Sequence, residues 1–207
     1  MANGLSNRFL RVLATDISQA QLDLATFRPN IDYRCVAAEE IDIPPNSVDL
    51  VTVGCAVHWF DRDVFYRVAQ RALNPRGIIA VWSNGWPYTG YSRIDEALCE
   101  LKEQLLRDYW PNNSDLYLNG YRDLEFPFSE IQPPQFSMEI AKDLDELKGF
   151  LSTWCPSVRY FEEQAEDPVA KIAEQLDAAW IDAQPAMPLR IPIHLRVGSA
   201  NFVDEVE

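Results

Sequence analysis

An α/β fold, with a parallel sheet covered by helices on both faces, is predicted for this 207-residue chain by three observations. Apolar runs at 9–17, 33–37, 48–53 and 78–82 are too short and too evenly apolar for surface helices, and suit buried strands. The segments between them carry apolar residues at helical spacing. The joins are short, as strand–helix units require.

The first strand, Phe9-Leu10-Arg11-Val12-Leu13-Ala14-Thr15-Asp16-Ile17, ends in an acid. Ser18 then caps a helix running from Gln19 to about Phe27, with Ala20, Leu24 and Phe27 on its buried side, and Arg28-Pro29-Asn30 stops it. After the strand at 33–37, Pro44-Pro45-Asn46-Ser47 turns the chain into Val48-Asp49-Leu50-Val51-Thr52-Val53, an expected interior strand. Asp61 or Asp63 caps a helix whose Val64, Val68, Ala69 and Ala72 recur on one face. Asn74-Pro75-Arg76-Gly77 breaks that helix before Ile78-Ile79-Ala80-Val81-Trp82.

The texture changes after residue 83. Residues 84–91 are rich in Gly, Pro and aromatics, and a helix with Ile94, Leu98, Leu101 and Leu105 on one face follows. Residues 110–135 are loop-rich and aromatic. Phe136, Met138 and Ile140 alternate as in a strand with one buried face. Helices are expected at about 144–154 and from Asp167-Pro168 onward, the latter carrying Val169, Ile172, Leu176 and Ala179. A final antiparallel strand places Leu189, Ile191, Ile193, Leu195 and Val197 on one face. Its Pro192 cannot donate to a ladder, so an edge or a bulge is expected there. No internal repeat or long linker divides the chain, which reads as one domain, 1–207.

Composition excludes several classes. The net charge of −14 would repel a phosphate backbone, and no basic patch offsets it, so nucleic acid is not an expected partner. The acidic runs, including Asp204-Glu205-Val206-Glu207, read as solvated faces or frayed ends. No run reaches the roughly 18 apolar residues of a membrane span, and the start lacks the apolar core of a signal peptide. The cysteines Cys35, Cys55, Cys99 and Cys155 have no metal-ligand spacing and read as reduced structural thiols, Cys35 and Cys55 in or beside buried strands. A cytoplasmic location follows by elimination. No metal is expected, since the two histidines, His58 and His194, lie far apart.

Ligands of open α/β sheets bind at the carboxyl ends of strands, and three such ends carry candidate site residues. At the first, Asp16 either accepts hydrogen bonds from a ribose diol, with Ile17 against an adenine, or merely helps to cap the next helix. At the second, Ala38 and Glu39 either meet the edge of a planar base or form a plain loop exit. At the third, Gly54, Cys55 and Ala56 leave room beside the sheet, and His58, Trp59 and Phe60 wall a pocket. His58 is either a pocket group or a hydrogen-bonded structural one.

These segments taken in order, Asp16-Ile17-Ser18-Gln19-Ala20-Gln21-Leu22, Ala38-Glu39-Glu40-Ile41, Pro45-Asn46-Ser47-Val48-Asp49-Leu50-Val51 and Ala56-Val57-His58-Trp59-Phe60-Asp61, resemble successive motifs of class I S-adenosylmethionine-dependent methyltransferases. The subgroup they resemble most is that of the trans-aconitate methyltransferase-like proteins. Arg71-Ala72-Leu73-Asn74-Pro75-Arg76-Gly77 with the following strand, and Ser152-Thr153-Trp154, extend the likeness over roughly 9–200. The resemblance implies a Rossmann-like sheet and S-adenosylmethionine as cofactor. Asp16, Ile17, Ala38 and Glu39 would hold its adenosine, and Gly54, Cys55 and Ala56 would run past its methionine. His58, Trp59 and Trp82 would border a small-molecule acceptor; a carboxylate acceptor would be neutralised by Arg93 or flanked by the aromatics of 82–91. A lid is implied at about 84–110, within an insertion region at 84–135. No dedicated catalytic base is implied, and the oligomeric state is left open.

The family opens with a strand and a glycine-rich turn, D-x-G-x-G-x-G, upstream of the Asp16 strand. This chain has Met1 to Arg8 there with the single Gly4, so the expectation is a sheet lacking that first strand and loop. Two other functions stay open at this level: an inactive remnant or interaction module that binds no cofactor, and a nicotinamide-dependent Rossmann enzyme.

Overall fold

The computed structural model describes residues 1–180 and 186–200. The elements are α1 (Ala2–Leu5), β1 (Val12–Asp16), α2 (Gln19–Asp23), β2 (Ile31–Cys35), β3 (Val48–Gly54), α3 (Arg62–Ala72), β4 (Leu73–Asn84), α4 (Ser92–Glu100), α5 (Ser114–Leu118), β5 (Ser129–Ile131), β6 (Phe136–Lys142), α6 (Leu144–Ser152), α7 (Cys155–Gln164), α8 (Ala173–Trp180) and β7 (Met187–Ser199). The architecture is α/β and Rossmann-like with mixed strand directions. β1 and β2 pair in parallel as a two-stranded sheet. The remaining strands form a second sheet in the order β3-β4-β7-β5, with β6 also on β7. β3 and β4 are parallel, and β7 runs antiparallel to β4, β5 and β6. The acidic residues of 204–207 lie outside the described residues.

Several boundaries have a local cause. Ser18 accepts from Gln21 N at the start of α2, and Asp61 accepts from Val64 N at the start of α3. Asp143 and Glu146 form a reciprocal capping box on α6, a motif that contributes about 1 kcal/mol. Asn46 supplies the turn before β3 with a φ of 53°, a left-handed conformation that asparagine tolerates.

Two apolar cores result. One gathers Val53, Phe65, Tyr66, Leu73, Ile79 and Val81 between α3 and the β3–β4 pair, closed by Tyr121 and Leu124. The other joins Ile94 and Leu98 of α4, Leu147 and Leu151 of α6, Leu176 of α8, and Met187 and Leu189 of β7. Each fully buried leucine or isoleucine in these clusters contributes about 1.5–3 kcal/mol.

Several expectations are corrected. α2 stops at Asp23, and Leu24 and Phe27 are 84% and 82% exposed, because no described element covers that side of the β1–β2 layer. β3 bonds only β4 among the described strands, so it is an edge rather than an interior strand. α3 buries Ala69 and Ala72 as expected, with Phe65 and Tyr66 in place of Val64 and Val68. On β6 the expected apolar face is largely open, with Phe136 and Met138 exposed and only Ile140 against the helical core. Cys35 is exposed at the end of β2, and Cys55 is half-buried.

β7 is interior despite its proline. The Pro192 carbonyl accepts from Gly85 N just past the end of β4, where the ladder closes at Asn84 opposite Ile193. The missing Pro192 donor falls on that same side, beyond the paired residues, so no ladder bond is lost. The helix opened by Asp167-Pro168 begins as a 3-10 turn, Pro168–Ile172, before α8. α7 has no counterpart in the sequence reading; it buries only Pro156 and Ser157, with Tyr160 packed against the edge of the helical core.

Candidate functional site

The parallel β3–β4 pair sets the floor of the site. Its register aligns Gly54 with Trp82, so both strands end at one level. Beyond Gly54 the chain turns sharply: Cys55 adopts φ 54° and its N–H donates to the Trp82 carbonyl at 2.8 Å. A 3-10 turn, Val57–Trp59, then carries His58 inward and leaves Trp59 mostly exposed.

A cavity of about 380 Å³ opens above these strand ends. Cys55, His58 and Trp59 line it from β3, and Asn84, Gly85, Trp86 and Pro87 from β4. Lys102 enters from the segment after α4, Trp110, Pro111 and Tyr117 from the loop and α5, and Phe150, Thr153 and Trp154 from the α6–α7 junction. Trp154 stands edge-on to Trp86 at 4.6 Å and to Phe150 at 5.5 Å, so the aromatic wall braces itself. Lys102 Nζ lies 5.4 Å from the Trp86 ring centre and 2.8 Å from Glu103 Oε1.

His58 is 8% exposed and held at both ends. Its Nδ1 is 2.8 Å from the Tyr121 hydroxyl, and its carbonyl accepts from Asn113 Nδ2 at 2.7 Å. Burial lowers the imidazole pKa from its ordinary value, favouring the neutral ring. Burial also pushes the Cys55 thiol up and the Tyr117 hydroxyl to about 12, so both stay protonated near neutral pH. The cavity therefore presents neutral donors, aromatic faces and one cation. That combination can seat and orient an anionic molecule while keeping water out.

The other predicted residues fall at two places. Asp16 lies exposed at the end of β1, where its Oδ1 accepts from Ser18 N at 2.8 Å, and Ile17 beside it is exposed. Ala38 packs against the β3–β4 core, and Glu39 accepts from Asp61 N at 2.8 Å. That bond ties the exit of β2 to the start of α3, and so links the two strand-end groups. Gly54 faces Trp82: a Cβ at position 54 would come within 2.6 Å of Trp82 Cζ2, so the indole fills the space above the glycine. Trp82, Gly54 and Ala56 are not among the lining residues of this cavity. Arg93 is exposed and does not line it either; the cation present is Lys102.

Lys102, Tyr117, Tyr121 and Phe150 were not singled out from the sequence. The aromatic richness of 110–135 was visible, but not which ring meets His58. A second cavity of about 400 Å³ lies beside the start of α3, among Asp61, Asp63, Asp123 and Glu125. Two of its acids are already engaged, Asp61 as the α3 cap and Asp123 as the acceptor from Asn119. No cluster of potential metal ligands occurs among the described residues, and no described helix is long and apolar enough to cross a membrane.

Comparison with known proteins agrees with this geometry. The methyltransferase domain family matches residues 1–81. A Dictyostelium discoideum protein named as a methyltransferase is 29% identical over 178 residues, covering 85% of this chain and 68% of its own length. A Claviceps purpurea methyltransferase is 35% identical over 99 residues, a match covering 46% of this chain and 31% of that protein. The solved structure of a type II methyltransferase from Anaeromyxobacter dehalogenans superposes with a TM-score of 0.88 at 32% identity, over 96% of this chain and 84% of that one. None of these likenesses favours an inert module or a nicotinamide enzyme.

Proposed function

The chain belongs to the class I methyltransferase family, and on that premise we propose that it methylates a small carboxylic acid with S-adenosylmethionine. The observation that carries the acceptor's class is the cavity of about 380 Å³ in which Lys102 is the one formally charged residue among the described lining residues. The sequence resemblance to the trans-aconitate methyltransferase-like subgroup points the same way.

In this proposal Asp16 holds the cofactor ribose with its exposed carboxylate, and Ile17, Ala38 and Glu39 border the adenine. The exposure of Asp16 and Ile17 at the carboxyl end of β1 suits those roles. Gly54, Cys55 and Ala56 pass the methionine portion. His58 and Trp59 border the acceptor, Trp82 stands behind them against Gly54, and the segment at 84–110 acts as a lid. Asp95 supports that lid by accepting from Thr89 N, Thr89 Oγ1 and Gly90 N.

S-adenosylmethionine supplies a sulfonium methyl: the S–CH₃ bond breaks to leave a neutral thioether while a carboxylate oxygen gains the methyl and becomes a neutral ester. The protein's part is positioning, since an ionised carboxylate needs no base. Lys102 offsets the acceptor's charge before transfer. His58 orients the acid from the cavity wall, and the tryptophans exclude water that would solvate the nucleophile. The same proposal places the protein in the cytoplasm, where four free thiols would remain reduced.

The test is transfer of a labelled methyl group from S-adenosylmethionine to a panel of small carboxylic acids, with the extractable ester as readout. Labelled ester formed from at least one acid is expected. A chain that binds the cofactor product yet esterifies none of them contradicts the carboxylate assignment.

A further inference from the structure

We infer that the acceptor is a planar, one- or two-ring aromatic acid carrying a single negative charge. This rests on the methyltransferase reading of the same cavity and narrows its substrate. Three observations carry it: the shape of the walls, the number of cations and the absence of acids from the lining.

The walls are flat. Trp59, Trp86, Trp110, Tyr117, Phe150 and Trp154 supply six aromatic side chains around about 380 Å³. Such rings gain more from an arene than from a saturated ring of equal size, about 0.5–1.5 kcal/mol for each well-placed pair. Two such contacts correspond to about tenfold in affinity.

The charge is single. In a chain of net charge −14, no aspartate or glutamate stands among the described lining residues, and Lys102 is the one cation among them. A tricarboxylate would bring at least two anionic groups to places without a counter-charge, at the desolvation cost that unpaired ions carry. An ammonium acceptor would meet Lys102 and find no carboxylate among the described lining residues, the nearby Glu103 being already paired with Lys102. The Lys102 ammonium lies over the face of Trp86. An anion bound there is thus carried on a body lying along the indole, the placement an arene carboxylate adopts.

The experiment is calorimetric titration of the full chain with three probes. These are 2-naphthoate, its fully saturated decahydro analogue with the same carbon skeleton, and propane-1,2,3-tricarboxylate. The arene acid is expected to bind about tenfold tighter than the saturated acid, and at least about tenfold tighter than the tricarboxylate. Lys102→Gln is expected to weaken 2-naphthoate about tenfold while leaving its neutral methyl ester unchanged. Lys102→Arg is expected to retain the acid. Equal affinity for the saturated acid, or tighter binding of the tricarboxylate, overturns the inference, and the unmodified chain alone decides this. S-adenosylhomocysteine is titrated in parallel. Its binding without an arene preference overturns the substrate class alone; an arene preference without its binding overturns the methyltransferase reading beneath it.

Discussion

His58 Nδ1 lies 2.8 Å from the hydroxyl of Tyr121, a residue 63 positions later in the chain. With the Tyr121 hydroxyl as donor and Nδ1 as acceptor, the imidazole proton sits on Nε2. His58 becomes a neutral donor at the cavity wall rather than a base.

Replacing Tyr121 tests that arrangement. Tyr121→Phe should cost about 1 kcal/mol of stability, the net value of a buried hydrogen bond. It should also free the tautomer. Nitrogen-15 chemical shifts of the two histidines read this directly: in the unmodified chain, His58 Nδ1 should be unprotonated and Nε2 protonated. A protonated Nδ1 in the unmodified chain contradicts the assignment.

Burial of His58 makes stability depend on pH in a defined direction. Its folded pKa lies below the ordinary value of 6.5 because burial disfavours the charged ring. Between the two values the unfolded chain binds the extra proton. The stabilisation is thus fully present above about 6.5 and falls as pH drops through that value toward the folded pKa. His58→Gln should flatten the part of the Tm-against-pH curve between 7.5 and 5.5. An unchanged slope contradicts the account.

Gly54 and Trp82 form a second coupled pair. A methyl group at position 54 would meet Trp82 Cζ2 at 2.6 Å, so Gly54→Ala should destabilise by about 1–3 kcal/mol through overpacking. Shortening the indole to Leu should recover part of that loss. Additive effects in the double-mutant cycle contradict direct contact.

The helical core has its own test. Leu98 is fully buried among α4, α6 and α8, and Leu98→Ala should cost about 2–5 kcal/mol by denaturant titration. A loss below 1 kcal/mol would mean that these helices are loosely joined.

Much of the fold was readable because its signals are local. The strands at 48–53 and 78–82, the Asp61 cap and the Asn46 turn depend on residues within a few positions of each other. Errors arose where a neighbour decides the outcome. Leu24 and Phe27 have the spacing of a buried face, yet no described element covers them. β7 carries a proline yet lies inside the sheet, because the proline sits just past the last paired residue of β4. The apolar residues Val158 and Phe161 of Cys155–Gln164 stay exposed, so their spacing marks no buried face. At the site, the strand-end residues Cys55, His58 and Trp59 were foreseeable, since strand ends are where α/β sheets bind ligands. Lys102 and Tyr121 were not, because only tertiary folding brings them to His58's side of the sheet.

The central claim is that this chain binds the methyl donor through the carboxylate at the end of β1. The most direct measurement is calorimetric titration of S-adenosylhomocysteine into the folded chain and into Asp16→Ala. Binding by the unmodified chain, weakened about a hundredfold or more by the substitution, is expected from the loss of two charge-assisted hydrogen bonds. A well-folded chain that takes up no S-adenosylhomocysteine, or an Asp16→Ala variant that binds it equally well, would contradict the account.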